Sequence, residues 1–228
     1  MLEREHTVSV ENYVYPPGGT ADASIIWLHG LGADGKDFVA IKDQLGLAAN
    51  HTVRFIFPNA PFRPITINNG MVMRGWYDVY QIDILANEDS TGIVQANQLL
   101  QGIIEQELQL GIESTRIILA GFSQGGAVCL HSGLRLAQPL AGIIALSTYQ
   151  PLACTLAQER HLANQQVPIF LAHGLFDPVI PLNFGKKTMQ QLRNLNYNVT
   201  WRTYPMQHTA TEQEIIDIGN FIQQCLND

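Results

Sequence analysis

Gly121-Phe122-Ser123-Gln124-Gly125 is the stretch on which the reading of this chain turns. The run before it, Arg116-Ile117-Ile118-Leu119-Ala120, is of β-strand type, and Ala127, Val128, Leu130 and Leu134 after it recur at helical spacing. A Gly-x-Ser-x-Gly between a strand and a helix holds the serine in a strained backbone geometry with its hydroxyl exposed. The residues two before and two after it must then be small, so that strand and helix can approach. Gly121 and Gly125 meet that need. The alternative is a glycine-rich turn in which Ser123 only caps the helix.

Outward from this turn, apolar runs of strand length alternate with helical patterns. Strands are expected at 24–28, 53–57, 116–120, 141–146, 168–172 and 199–204, and helices at 36–47, 92–110, 124–137, 182–195 and 212–226. Such alternation is the pattern of an α/β fold, a mainly parallel central sheet with helices on both faces. Residues 7–13 alternate and precede the first crossover, so they are expected as an antiparallel edge strand. The last helix begins with Thr211 and Glu214, a Thr-x-x-Glu capping box, and carries Ile215, Ile218 and Ile222 on one face.

One segment breaks this rhythm. Between Pro58 and Glu88 there is no helical period, and a connection of that length in a compact domain is usually functional. Within it Ile65-Thr66-Ile67 and Met71-Val72-Met73 flank Asn68-Asn69-Gly70, and Asn-Gly is a strong tight-turn signal, so a small hairpin is expected.

A serine hydroxyl becomes a competent nucleophile when a histidine takes its proton, and the histidine needs a carboxylate to hold its tautomer. On a strand-serine-helix turn of this kind the order along the chain is serine, acid, histidine. Between Ser123 and His208 the only carboxylates are Glu159 and Asp177, and His208 is the only histidine after Asp177. Asp177 follows the strand at 168–172, whereas Glu159 falls in a helical segment. Catalytic groups of open α/β sheets gather outside the carboxyl ends of strands, so Asp177 is the better acid. His208 likewise follows the strand at 199–204. The tetrahedral oxyanion needs donors, one being the backbone N–H of Gln124 and the second coming from a glycine-rich loop after an early strand. His29-Gly30-Leu31-Gly32 is such a loop, with Leu31 N–H as the second donor. His29 and His173, each before a glycine, read as loop scaffolding.

The same loop carries two decoys, Gly30-x-Gly32-x-x-Gly35 for dinucleotides and Gly30-x4-Gly35-Lys36 for phosphates. Asp34 and Asp37 would set negative charge where phosphates must sit, and the next strand ends in Pro58-Asn59-Ala60-Pro61 without the acid a ribose requires. Nucleotide binding is therefore not expected.

Five stretches in order resemble the phospholipase/carboxylesterase family of α/β-hydrolases, which contains bacterial carboxylesterases and acyl-protein thioesterases. They are the segments 29–38, 58–61 and 75–78 (Gly-Trp-Tyr-Asp), 121–126, and His173-Gly174-x-x-Asp177-Pro178-Val179-Ile180-Pro181. The resemblance spans almost the whole chain and implies one α/β-hydrolase domain, 1–228, without a cap domain. It implies the triad Ser123, Asp177 and His208 with Leu31 and Gln124 as oxyanion donors, and neither metal nor cofactor. Two positions depart from the pattern: Gln207 stands where Gly or Met is expected, and Thr148 where a small residue is expected. Specificity is what these departures put in question.

The expected activity is a serine carboxylesterase acting on short-to-medium acyl esters. Acyl-protein thioesterase or lysophospholipase activity with the same triad is the alternative, and a non-catalytic ligand-binding protein the reading from another class. Ile65, Met71, Met73, Trp76 and Val179 are the candidate substrate-lining residues. A formal net charge of −7 and the lack of a Lys/Arg cluster argue against a nucleic-acid or anionic-membrane surface, so the expected partner is a small ester or thioester. A homodimer is left open. The charged N-terminal residues Met1-Leu2-Glu3-Arg4-Glu5-His6, the absence of a long apolar run, and three scattered cysteines point to a cytoplasmic protein without membrane insertion.

Overall fold

The computed structural model describes residues 11–81 and 86–226. Its centre is a seven-stranded sheet in the order β1-β3-β2-β6-β7-β8-β9, made of β1 (Asn12–Tyr15), β2 (Ala23–Leu28), β3 (Val53–Pro58), β6 (Ile117–Phe122), β7 (Gly142–Leu146), β8 (Ile169–Gly174) and β9 (Val199–Tyr204). All neighbours pair in parallel except β1, which runs antiparallel to β3 with Asn12 opposite Pro58 and Tyr15 opposite Phe55. Residues 7–10 of the expected edge strand lie outside the described residues, and Pro16 and Pro17 end β1 because neither can donate to a ladder.

Successive strand residues point to opposite faces, and the sheet is apolar on both. On one face Ile26, Leu28, Leu119, Ile143 and Leu171 pack with Ile93 and Leu100 of α1 (Ser90–Gln109), Val128 of α2 (Gln124–Gly133) and Leu192 of α4 (Leu182–Asn194). On the other, Ile25, Trp27, Phe55, Ile118, Ile144 and Phe170 pack with Ile41 and Leu45 and with Ile218, Phe221 and Ile222 of α5 (Glu212–Leu226). Between β7 and β8 there are only the short α3 (Leu156–Glu159) and a 3₁₀ turn at Leu162–Asn164, as an uncapped fold requires.

Three local expectations change. The helix expected at 36–47 is a 3₁₀ helix, Gly35–Asp43, because the bonds reach back three residues (Asp37 N–H to Asp34 O, Gln44 N–H to Ile41 O); apolar spacing over so short a stretch does not separate that winding from α. The helix expected at 124–137 ends at Gly133. The capping box of α5 is half made: Thr211 Oγ1 accepts the Glu214 N–H at 3.3 Å, but the Glu214 carboxylate turns inward and neither oxygen finds a partner.

The excursion after β3 does form a separate two-stranded hairpin, of β4 (Phe62–Ile65) and β5 (Met71–Arg74), but Thr66 and Ile67, expected on its first strand, lie instead in a 3₁₀ turn at Thr66–Asn68. At its tip Asn69 and Gly70 have φ of 54° and 76°, the left-handed pair that the Asn-Gly signal called for. Among the described residues no helix is long and apolar enough to cross a membrane.

Candidate active site

Ser123 sits between β6 and α2 with φ 54° and ψ −121°, a strained conformation for a residue with a side chain. The turn persists because its surroundings over-determine it. Ser123 N–H donates to Leu146 O at 2.8 Å and Ser123 O accepts the Ala127 N–H at 3.1 Å. A Cβ at Gly121 would lie 2.4 Å from the Gly125 carbonyl carbon, and one at Gly125 would lie 2.3 Å from Leu28 O. Both glycines are thus required by close backbone approach.

Asp177 and His208 stand in the turns after β8 and β9, at the same edge of the sheet as Ser123. His208 Nε2 is 3.0 Å from Ser123 Oγ, and His208 Nδ1 is 2.7 Å from Asp177 Oδ2. Asp177 Oδ1 accepts the N–H groups of Val179 at 2.8 Å and Ile180 at 2.9 Å. Burial alone would raise the Asp177 pKa, but the hydrogen bonds from His208 and the two amides outweigh it and hold the carboxyl below its ordinary range. The aspartate is kept ionised where it can fix the imidazole tautomer. The Phe122 ring packs 4.7 Å from the His208 ring, centroid to centroid. Glu159, the other carboxylate in chain order, pairs with Arg135 at 2.7 Å and with Thr155, and bonds no histidine.

His173 is a scaffold, as read from the sequence. Its Nε2–H donates to Ile180 O at 2.7 Å, closing the turn that carries Asp177, while its 3.6 Å approach to Asp177 Oδ2 is too long for a hydrogen bond. Desolvation lowers its pKa, which keeps the ring neutral. His29 does the same for the early loop: Nδ1–H donates to Gly30 O at 2.7 Å and Nε2 accepts the Ala60 N–H at 2.9 Å.

That loop lies against the serine, since a Cβ at Gly30 would be 3.3 Å from Ser123 Cβ. Neither the Leu31 nor the Gln124 N–H donates to any described residue. The Gln124 side chain has a separate task, accepting the Trp76 N–H at 2.8 Å and donating to Tyr77 O at 2.7 Å. The Trp76 indole donates to His29 O at 2.9 Å. Asp34 and Asp37 form a capping box on the 3₁₀ helix, and a Cβ at Gly35 would strike Phe57 O at 2.6 Å. The glycine pattern of the decoy motifs therefore has a packing and capping cause.

Of the candidate substrate-lining residues, Ile65 and Trp76 are completely buried and offer no surface to a ligand; the apolar pattern that nominated them reports the core. Met71 and Val179 are 63% and 60% exposed. Met73 lies against the early loop, its Sδ 3.5 Å from a Cβ placed at Gly32. Gln207 is exposed beside His208, whereas Thr148 is fully buried, so Thr148 cannot touch a substrate. Sequence reasoning missed Leu175 and Phe176, exposed apolar residues next to Asp177. It also missed Arg74, which bonds Asp34 and Glu11 and donates to Ala60 O, tying the hairpin to the loop. Only three-dimensional pairing, not spacing, reveals Arg74. Among the described residues no three His, Cys, Asp or Glu side chains gather as a metal site.

Compared with known proteins, residues 11–226 match the sequence profile of the phospholipase/carboxylesterase family. The chain is 37% identical over 222 residues to acyl-protein thioesterase 1 of Gibberella zeae, covering 93% of this chain and 94% of that protein. It is 40% identical over 213 residues to acyl-protein thioesterase 1 of Neurospora crassa, covering 90% and 87%. The crystal structure of Zea mays acyl-protein thioesterase 2 superposes with a TM-score of 0.85 at 26% identity, covering 95% of this chain and 99% of that one.

Proposed function

The chain belongs to the phospholipase/carboxylesterase family and is a serine hydrolase with thioesterase or esterase activity, and within that class we propose that it cleaves acyl thioesters of proteins as well as simple oxygen esters. This reverses the order of the two activities expected from the sequence. The reason is that the relatives matching at 37–40% identity over nine-tenths of the chain are named acyl-protein thioesterases.

Ser123 is the proposed nucleophile. Its Oγ bonds to the acyl carbon as His208 Nε2 takes the proton, and the N–H groups of Leu31 and Gln124 receive the oxyanion. The C–S or C–O bond then breaks, His208 returns the proton to the departing sulfur or oxygen, and a water deprotonated by His208 releases the carboxylic acid. Asp177 holds the imidazole and offsets its charge. The observation that carries this reading is the unbroken chain from Ser123 Oγ through His208 to Asp177, at 3.0 and 2.7 Å, beside two unengaged backbone donors. Met71, Met73 and Val179 are proposed to flank the acyl chain.

The test is kcat/KM for matched S-octanoyl and O-octanoyl peptides, with wild type and Ser123→Ala. The expected result is turnover of both by wild type, with the thioester at least equal, and loss of both in the variant. Turnover of oxygen esters alone would return the main reading to carboxylesterase, and activity surviving in Ser123→Ala would remove the nucleophile.

A further inference from the structure

Thr148 occupies a position where a small residue is expected, and the structure gives its hydroxyl a partner that bears on the chemistry. Thr148 Oγ1 donates to the carbonyl oxygen of Ser123 at 2.7 Å, inside a fully buried segment that follows β7. That oxygen already accepts the Ala127 N–H of α2, so it carries two donors. The Ser123 carbonyl and the Gln124 N–H belong to the same peptide unit. Because the unit is planar and trans, fixing the direction of the C=O fixes the opposite direction of the N–H. A hydrogen bond to the oxygen also polarises the amide and strengthens the N–H as a donor. The neighbourhood is shaped around this contact: a Cβ at Gly126 would come within 3.0 Å of Thr148 Cγ2.

We propose that Thr148 is a positioning residue that aims and strengthens the Gln124 N–H of the oxyanion hole through the Ser123–Gln124 peptide. The inference rests on the reading of Ser123 as nucleophile and Gln124 N–H as oxyanion donor. It also changes what the departure at Thr148 means. The residue is buried away from substrate, so its effect falls on the rate of acyl transfer and not on which acyl chain is chosen.

An oxyanion donor is worth about 10²–10³ in kcat, and modulating a hydrogen bond by about 10–30% gives roughly a two- to eightfold effect. Thr148→Val keeps the shape and removes the donor, and the Ser123 carbonyl retains its bond from Ala127. The measurements are kcat and KM on a soluble ester, the inhibition constant of a trifluoromethyl ketone whose serine adduct carries the oxyanion, and thermal stability. Thr148→Val should lower kcat and weaken the trifluoromethyl ketone by the same factor with KM unchanged, and Thr148→Ser, which restores the hydroxyl, should recover most of both. A merely structural threonine would shift stability and leave inhibitor affinity alone.

Unchanged kcat and inhibitor affinity in Thr148→Val would overturn the proposal, as would equal losses in Thr148→Val and Thr148→Ser. If Thr148→Val does not fold, the same comparison between Thr148→Ala and Thr148→Ser decides. Wild-type protein that does not turn over the ester, or whose turnover survives in Ser123→Ala, would instead remove the reading beneath it.

Discussion

The two flanks of Ser123 are built on different rules. On the flank of the proposed triad Asp177 is buried with both oxygens engaged, His208 bonds in two directions, and His173 closes the turn that carries Asp177. On the hairpin flank Phe62, Met71 and Val72 are about two-thirds exposed, and the strands are tied down by backbone bonds such as Gly32 N–H to Arg74 O at 2.8 Å. On the first flank the polar side chains are engaged in hydrogen bonds; on the second the exposed side chains named are apolar. Chemistry should therefore be lost by changes on one flank and chain-length preference by changes on the other, with little crossing between them.

The sharpest way to break that division is Ser123→Ala. It should lower kcat by about 10⁴ or more and abolish labelling by a fluorophosphonate, with melting temperature and structure retained. Persistent labelling would show that another group carries the reaction.

Next comes the choice of acid. Asp177→Asn should cost about 10²–10⁴ in kcat because the amide can hold the wrong imidazole tautomer, while Glu159→Gln, which disturbs an exposed pair with Arg135, should leave kcat within about twofold. Equal losses would dissolve the distinction between catalytic and structural carboxylates on which the triad flank rests.

A third test concerns the buried carboxyl of Glu214 in the first turn of α5. Burial is the main cause that lifts Glu214 from its ordinary 4.5 to about 8; the Thr211 backbone opposes this and Asp217 adds to it. The folded state therefore holds a proton that the unfolded chain has released across the window from 4.5 to about 8. Stability is greatest below that window and falls as pH rises through it. Glu214→Gln, which cannot ionise, should match wild type near pH 5 and exceed it at pH 9 by on the order of a few kcal/mol, several degrees in melting temperature. A flat wild-type profile from pH 5 to 9 would show that the carboxylate finds solvent or a partner.

How much of this was legible beforehand follows from the same division. The alternation of strand and helix gave the sheet and its two covered faces. Chain order, with only two carboxylates between Ser123 and His208, isolated the triad candidates that the fold brings within hydrogen-bond distance. The 3₁₀ winding at Gly35–Asp43 was not legible, because a few apolar residues satisfy either helix. Nor was the burial of Ile65 and Trp76: an apolar side chain on a short hairpin or loop has two faces to choose from, and sequence names the residue without naming the face. Arg74 and Thr148 act through partners distant in sequence, Glu11 and Ser123, that no local period encodes.

The smallest expected effect is the most informative about the hairpin flank. Met73 lies beside the Gly32 turn and Met71 is exposed at the start of β5, and in the function proposed both lay flexible apolar surface along an acyl chain leaving Ser123. Each methylene buried contributes about 0.8 kcal/mol, so a few added carbons should raise kcat/KM several-fold to a plateau where the apolar surface ends. Truncating either methionine removes part of that surface without touching Leu31, Gln124 or His208. Met73→Ala and Met71→Ala should therefore lower the slope of log kcat/KM against acyl length by a few-fold overall and leave acetyl-ester turnover nearly unchanged. Met73 should have the larger effect because it stands nearer the loop. Slopes identical to wild type would mean that the chain leaves past Phe176 and Val179, on the acid side. The two flanks would then share both tasks, and the division drawn between them would fail.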